Sequence, residues 1–390
     1  MSSPTHDQQA ACMTNPSPPP VAGLLGLAGA LAMRITPTAI TFLACVAALE
    51  VFAAVATGDT VPGSEWVHVA PDQAGWSSDG LAQVNSYAQA VGTASLVVVQ
   101  HGRIVDSLGD ISRRIELHSM RKSLLSALIG IAVTEGRIRL DATLASLGID
   151  DVPPSLSDAE KQATVRQLLQ SRSGVYHVAL YETEGERRLR PERGSHPPGT
   201  FWYYNNWDFN VLGTIYERAV GTSIFQAFQD KIAVPLRMQD YRLADGRYVR
   251  GLESSYPAYP FHMSARDLAR FGLLYLHRGR WDERQVVPAA WVAESTTAWS
   301  TTLINSGYGY LWWTGFPGQR VSIMDLPPGA FWADGAEGQF IAIDPQDDLV
   351  IVHQTDGRSV RTPQKGHLIW LILAVAHARD PGQDPDPGGR

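Results

Sequence analysis

The chain has 390 residues, 44% of them hydrophobic and 18% charged, which is a globular mixture rather than a disordered or fibrous one. A net charge of −7 provides no basic surface for phosphates and excludes nucleic acid as a partner. The two cysteines, Cys12 and Cys45, both precede residue 60, so the rest of the chain has no disulfide framework, cysteine nucleophile or Cys-based zinc site.

Residues 1–20 are polar and close on Pro18-Pro19-Pro20. Two apolar stretches follow. Residues 21–33 are rich in Gly and Ala and have the length of a signal-peptide core. Residues 39–57 are long enough to cross a bilayer, although Glu50 is costly at mid-membrane. Met33-Arg34 reads as an alternative start, and Ala54-Val55-Ala56 as a small-x-small cleavage site. Residues 1–62 are therefore expected to be a signal peptide or an N-terminal membrane anchor with a polar leader. The protein is then exported, and is periplasmic, extracellular or held on the membrane by this segment.

From residue 63 the pattern is that of a folded body running to 379. Residues 72–91 predict an amphipathic helix with Leu81, Val84, Tyr87 and Ala88 on one stripe. Residues 94–100 read as a buried strand, His101-Gly102 as a turn and 103–108 as the returning strand. Residues 119–136 form a helix that is apolar almost all round, and so lies deep, with Gly136 as its stop. The middle is loop-rich and helical, with helices predicted over 163–170, 210–219, 223–232 and 267–277; Ser264 is placed to cap the last of these. Residues 307–314, 331–334, 339–344 and 348–354 are β-like, with a hairpin turn around Asp347-Asp348; 366–378 is a closing helix and 380–390 a disordered tail. Strands at both ends with helices between them imply an α+β (α/β) architecture, in which one antiparallel sheet built from both termini is flanked by helices and carries an inserted helical subdomain.

Ser119-Met120-Arg121-Lys122 is an S-x-x-K segment opening the deep helix. Positions three apart share a helix face, so hydroxyl and amine can meet. Unpaired N–H groups at a helix start favour a developing oxyanion. A serine needs a base to become a nucleophile, and a lysine serves when burial lowers its pKa. Two fixed positions are a weak signal on their own. Lysine is scarce here, however: four (Lys122, Lys161, Lys231, Lys365) among 32 basic residues, the other 28 being arginines, which cannot act as bases. Of the four, Lys122 alone has a serine three positions before it. His118 is set beside the nucleophile in sequence but pointed away on the helix, as a packing residue. The histidines show no metal-binding spacing, and the glycine-rich pieces show no nucleotide pattern, so no metal or cofactor is implied.

These residues, followed by Ser123-Leu124-Leu125-Ser126-Ala127-Leu128-Ile129-Gly130, resemble the serine β-lactamase and penicillin-recognising superfamily. Tyr204-Asn205-Asn206 with Leu212-Gly213 downstream resembles the Y-x-N element of its class C β-lactamase and esterase branch; Tyr203-Tyr204-Asn205 is the adjacent register. Residues 168–175 are similar to the family's LLxxxSG segment. The family's third element would fall at Ala333-Asp334-Gly335, where the glycine is present and the cation is missing. Gly335-Ala336-Glu337-Gly338-Gln339 and Ile343-Asp344-Pro345 resemble the aminohexanoate-oligomer hydrolase and carboxylesterase branch.

The resemblance spans residues 66–378 and implies a β-lactamase/transpeptidase-like fold. It implies Ser119 as nucleophile, Lys122 and Tyr204 as the acid/base pair, the N–H groups of Ser119 and Ala336 as oxyanion hole, and Asn206, Tyr181, Gly335 and Gln339 as substrate-binding or supporting residues. Gly335 would let the substrate approach its strand closely. The expected reaction is cleavage of a small-molecule ester or amide through an acyl-enzyme. The alternatives are a D,D-peptidase or β-lactamase acting on cell-wall peptides or penicillins, and a catalytically silent membrane-tethered binding protein. Trp202, Trp207, Trp312 and Trp332 either line an apolar acyl pocket or fill the core.

Overall fold

The computed structural model describes residues 61–319, 326–357 and 375; the expected N-terminal signal or anchor, the expected tail from Asp380 and, apart from Val375, the expected closing helix lie outside them. The expected first helix is split. Pro71–Ala74 make one 3-10 turn, Gly75 leaves it at a φ of 78°, and α1 (Ser78–Ala90) starts afresh with the Ser77 hydroxyl accepting from Gly80 N. Leu81, Val84 and Ala88 are buried along α1 and Tyr87 is half-buried.

Strand β1 (Ser95–Gln100) is buried along its whole length. Its side chains divide by parity: Val97 and Val99 enter one apolar cluster, Leu96 and Val98 another. A strand covered on both faces requires this continuous apolar run. The chain reverses through His101-Gly102, both at positive φ, into β2 (Arg103–Gly109). After the short β3 (Ile115–Glu116) comes α2 (Arg121–Thr134), in which eleven residues are buried. Gly130 lets α2 pack close: a Cβ there would lie 2.2 Å from the Trp291 ring.

The middle holds α3 (Val165–Leu169), α4 (Glu184–Leu189), α5 (Asn206–Val220) and α6 (Ile224–Phe228). Helix α5 begins four residues before its predicted start, because Asn205 caps it and accepts from Trp207 N. The 223–232 helix is α6 followed by a π-helical turn, Gln229–Ala233. Sequence patterning missed α4, which is exposed and lacks an apolar stripe; a Thr183–Glu186 capping box starts it. Strand β4 (His262–Met263) pairs with β3 and leads into α7 (Ala265–Leu276), capped by Ser264 as expected. Then follow the hairpin β5 (Arg280–Trp281) and β6 (Arg284–Gln285), and α8 (Ala289–Ser295).

The last third supplies β7 (Ser300–Thr301), β8 (Gly307–Tyr308), β9 (Trp313–Thr314), β10 (Phe331–Gly335), β11 (Gln339–Asp344) and β12 (Leu349–Gln354). The β-like stretch 307–314 is two strands rather than one, since Leu311 takes a φ of 64° and turns the chain between them. With β1 and β2 these strands form an eight-stranded antiparallel sheet in the order β2-β1-β12-β11-β10-β9-β8-β7. Helix α1 covers one face, through Leu81, Val84 and Ala88. Helices α2 and α7 share the cluster on the other, where Gly272 of α7 sits against Val350 and Ile341. This is the α+β arrangement expected, with both ends of the body in one sheet.

Candidate active site

Ser119 lies in the 3-10 turn His118–Met120, which runs directly into α2. His118 takes a φ of 48°, rare for a residue with a side chain, and this turns the chain sharply just before Ser119. One helical turn on, Lys122 Nζ donates to Ser119 Oγ at 2.9 Å and to the Tyr204 hydroxyl at 2.6 Å. Lys122 Nζ also lies over the rings of Tyr204 (4.1 Å) and Phe209 (4.4 Å). Lys122 is 2% exposed. Burial, and next the neighbouring Arg121 charge, hold its pKa well below the usual lysine range; Glu186 and Asp334 pull the other way. Burial, followed by the negative charge of Glu186, pushes the Tyr204 phenol up. Both shifts favour the neutral lysine and the neutral phenol.

Of the adjacent tyrosines, Tyr204 meets Lys122, whereas Tyr203 is buried and donates to the Glu186 carbonyl at 2.7 Å. The two asparagines also divide. Asn205 is structural: it caps α5 and donates to Val175 O at 2.7 Å and Asp208 Oδ1 at 3.0 Å. Asn206 is buried and its Oδ1 has no hydrogen-bond partner among the described residues.

The end of β10 lies against the start of α2. A Cβ on Gly335 would stand 2.4 Å from Leu117 O and 3.3 Å from Ser119 N. The chain's own backbone thus packs directly against Gly335. Ala336 opens the following 3-10 turn and is exposed. Strand β10 pairs with β11 as far as Gly335, but with β9 only at Phe331 and Trp332.

Tyr181 is half-buried, at a φ of 65°. Its hydroxyl donates to Glu116, its ring stacks on His118 at 6.4 Å, and the Arg121 guanidinium covers it at 5.0 Å. His118 Nε2 lies 3.5 Å from Glu337 Oε2. Gln339 is buried and donates to Thr355 O at 2.7 Å. Glu116, His118, Glu337 and Gln339, with Arg113, Arg114 and His262, line a polar cleft of about 440 Å³ beside the serine.

The tryptophans sort cleanly. Trp207 and Trp312 are fully buried and Trp332 is 3% exposed, so these three fill the core, while Trp202 is half-buried. Sequence reasoning missed Arg121, Phe209 and Trp313, which surround the lysine and tyrosine. The signal for Arg121 and Phe209 was their place inside the motif segments. Trp313 had none, because its partners are distant in sequence. Among the described residues, no group of three or more His, Cys, Asp or Glu side chains is arranged to hold a metal ion, and no helix is long and apolar enough to cross a membrane.

An uncharacterized protein of Alkalihalophilus pseudofirmus is 25% identical over 255 residues, covering 60% of this chain and 71% of its own. A solved structure from Bacillus anthracis, provisionally assigned as a 6-aminohexanoate-dimer hydrolase, superposes with a TM-score of 0.61 at 20% identity, over 82% of this chain and 88% of that one. EstCE1, a hydrolase with promiscuous acyltransferase activity, superposes with a TM-score of 0.55 at 16% identity, over 78% and 99% of the two chains. The fold is that of β-lactamases and transpeptidases, and since the Beta-lactamase family model matches residues 73–374, the chain belongs to that family.

Proposed function

We propose that the protein is a serine hydrolase that cleaves a small ester or amide through an acyl-enzyme on Ser119. The observation that carries this reading is the position of Lys122 Nζ between Ser119 Oγ and the Tyr204 hydroxyl, in surroundings that disfavour its charge. Lys122, neutral, takes the proton from Ser119 Oγ as the oxygen attacks the substrate carbonyl. The N–H groups of Ser119 and Ala336 receive the oxyanion. Tyr204 gives its proton to the leaving alkoxide or amine and regains one from Lys122 across their 2.6 Å contact. Water then loses a proton to the same pair, attacks the acyl ester and releases the acid. The pair works as one proton reservoir.

Substrate lies along β10 beyond its pairing with β9. The strand's Ala333-Asp334-Gly335 segment carries no lysine or histidine, the cation of the family's third element, and this favours neutral substrates over the carboxylate of a penicillin. The named hydrolases that share this fold act in keeping with an esterase or amidase. We further propose that the N-terminal apolar stretches export the protein.

The test is mass spectrometry of the chain after reaction with a fluorophosphonate, beside turnover of p-nitrophenyl butyrate and of a linear aminohexanoate dimer. The expected result is an adduct on Ser119, absent in Ser119→Ala, with turnover of one of the two substrates. Turnover unchanged in Ser119→Ala would overturn the reading. Neither adduct nor turnover would favour a binding protein.

A further inference from the structure

The turn that carries Ala336 is held from outside the hairpin it closes. Strands β10 and β11 pair up to Gly335 and Gln339, which leaves Ala336, Glu337 and Gly338 as the loop between them. Glu337 takes a φ of 63° and Gly338 one of 86°, so a residue with a side chain is kept in the left-handed region. The carbonyls of both are engaged by side chains from the end of β12. His353 Nδ1 meets Gly338 O at 2.7 Å, and the Thr355 hydroxyl donates to Glu337 O.

These contacts are buried and their direction is fixed. His353 is 1% exposed and Thr355 2%. A carbonyl can only accept, so Nδ1 carries the hydrogen. Burial holds the imidazole pKa down at about 4, so the ring is neutral and Nε2 accepts from the Thr93 hydroxyl at 2.8 Å. Thr355 is tied in turn by Gln339, whose Nε2 donates to Thr355 O at 2.7 Å. The runs Thr93–His353–Gly338 and Gln339–Thr355–Glu337 thus converge on one turn. Buried bonds of fixed direction hold one geometry.

The turn stands where position matters. Gly335, next to Ala336, packs against Leu117 O and Ser119 N. His118 Nε2 lies 3.5 Å from Glu337 Oε2, but the Glu337 side chain is 48% exposed and that pair is a weak tie. The buried bonds from β12 are the stronger hold. The carbonyls they engage follow Ala336 directly in the chain, so they limit how its N–H can swing.

We propose that His353 and Thr355 are positioning residues of the oxyanion hole: by holding the carbonyls of Gly338 and Glu337, they aim the Ala336 N–H at the oxygen of the tetrahedral intermediate. This rests on the assignment of Ser119 as nucleophile and of Ala336 as oxyanion donor.

The experiment compares the wild-type chain with Thr355→Val, Thr355→Ser, His353→Leu and His353→Asn. Thr355→Val removes the hydroxyl at nearly constant shape, and Thr355→Ser keeps it. His353→Leu removes the donor, and His353→Asn returns an amide N–H near the place of Nδ1. The readouts are kcat and KM on p-nitrophenyl butyrate, the inhibition constant of phenylboronic acid, and the rate constant for labelling of Ser119 by a fluorophosphonate. Phenylboronic acid binds through a bond from Ser119 Oγ to boron, with the serine proton passing to Lys122, and its tetrahedral anion uses the oxyanion hole as the intermediate does. Active sites are counted by total label, so unfolded protein drops out of kcat. Thr355→Val and His353→Leu are expected to lower kcat by about tenfold to a hundredfold, with KM little changed. Boronate affinity and labelling rate should fall with it. Thr355→Ser and His353→Asn should recover most of the loss. A variant that is merely less stable loses sites, not kcat per site or boronate affinity.

Unchanged kcat per site and boronate affinity in Thr355→Val and His353→Leu overturn the inference, as does a loss that Thr355→Ser shares in full. Should a His353 variant fail to fold, the Thr355 pair decides. Should the wild type label but leave the ester intact, the labelling rates and the boronate carry the same comparison. No labelling of Ser119 in the wild type rejects the serine reading beneath the inference, whereas labelling at an unaltered rate in the variants rejects the inference alone.

Discussion

Lys122 Nζ and the Tyr204 hydroxyl stand 2.6 Å apart, although 82 residues separate them in the chain. The contact joins α2 to the residue just before the cap of α5 and fixes the lysine in a site that disfavours its charge. Replacement of Lys122 by Met is therefore expected to separate function from stability. Activity should fall by about 10²–10⁴-fold with loss of the base. The folded state, with a lowered lysine pKa, binds fewer protons than the unfolded chain below pH 10.5, so the wild type gains stability as pH rises through the interval between the folded pKa and 10.5. The methionine variant lacks that dependence and should melt higher at neutral pH. Thermal melts of both proteins at several pH values check this. A lower melting temperature for the variant throughout would contradict it.

The pH profile of turnover follows from the same shift. Neutral Lys122 is the active form, so kcat/KM should rise with pH through a limb belonging to the coupled Lys122–Tyr204 pair, with its midpoint below the ordinary lysine value of 10.5. In Tyr204→Phe the limb should move, whereas in a variant at a distant surface site it should not. Initial rates on a neutral ester across the pH range measure it.

Gly335→Ala tests the junction between sheet and serine. The added Cβ would overlap Leu117 O, at 2.4 Å, and crowd Ser119 N, at 3.3 Å. The backbone must shift at the proposed oxyanion donor, at a cost of about 1–3 kcal/mol in stability. A displacement near 1 Å at a reacting group reduces rate by about 10²-fold. Denaturant unfolding and kcat on one ester give the two numbers.

Asn205 and Asn206 should respond in opposite ways. Asn205→Ala removes a helix cap and buried bonds to Val175 and Asp208, and is expected to cost about 1–2 kcal/mol. Asn206→Ala removes a buried Oδ1 that has no partner among the described residues and should leave stability nearly unchanged while lowering kcat/KM. Urea unfolding of the pair, with rates alongside, distinguishes the register Tyr204-x-Asn206 from Tyr203-x-Asn205.

Asp267 carries a stability prediction remote from the site. Its carboxylate accepts from the backbone N–H groups of Gln239, Asp240 and Tyr241 at 2.7–2.9 Å. Asp267→Ala orphans these donors and should cost about 3 kcal/mol or more. Asp267→Asn, which keeps an accepting oxygen, should cost less in the same unfolding assay.

The sequence by itself determined whatever depends on neighbours along the chain. The i, i+3 spacing brings Ser119 and Lys122 to one helix face, the unbroken apolar run of α2 buries them, and the parity of β1, β11 and β12 places a sheet between two apolar layers. The motif resemblance added Tyr204, because its spacing to Leu212-Gly213 is also local. Only the tertiary structure brought the Tyr204 hydroxyl to the lysine and made Asn205, rather than Asn206, the cap of α5. The space at Gly335 was invisible for the same reason: what fills it comes from a segment more than 200 residues away. The ring contacts of Trp202, Tyr204, Tyr308 and Trp313 likewise join segments far apart in the chain. Side-chain packing between distant segments leaves no periodicity to read, because each segment keeps its own local pattern whatever it finally meets.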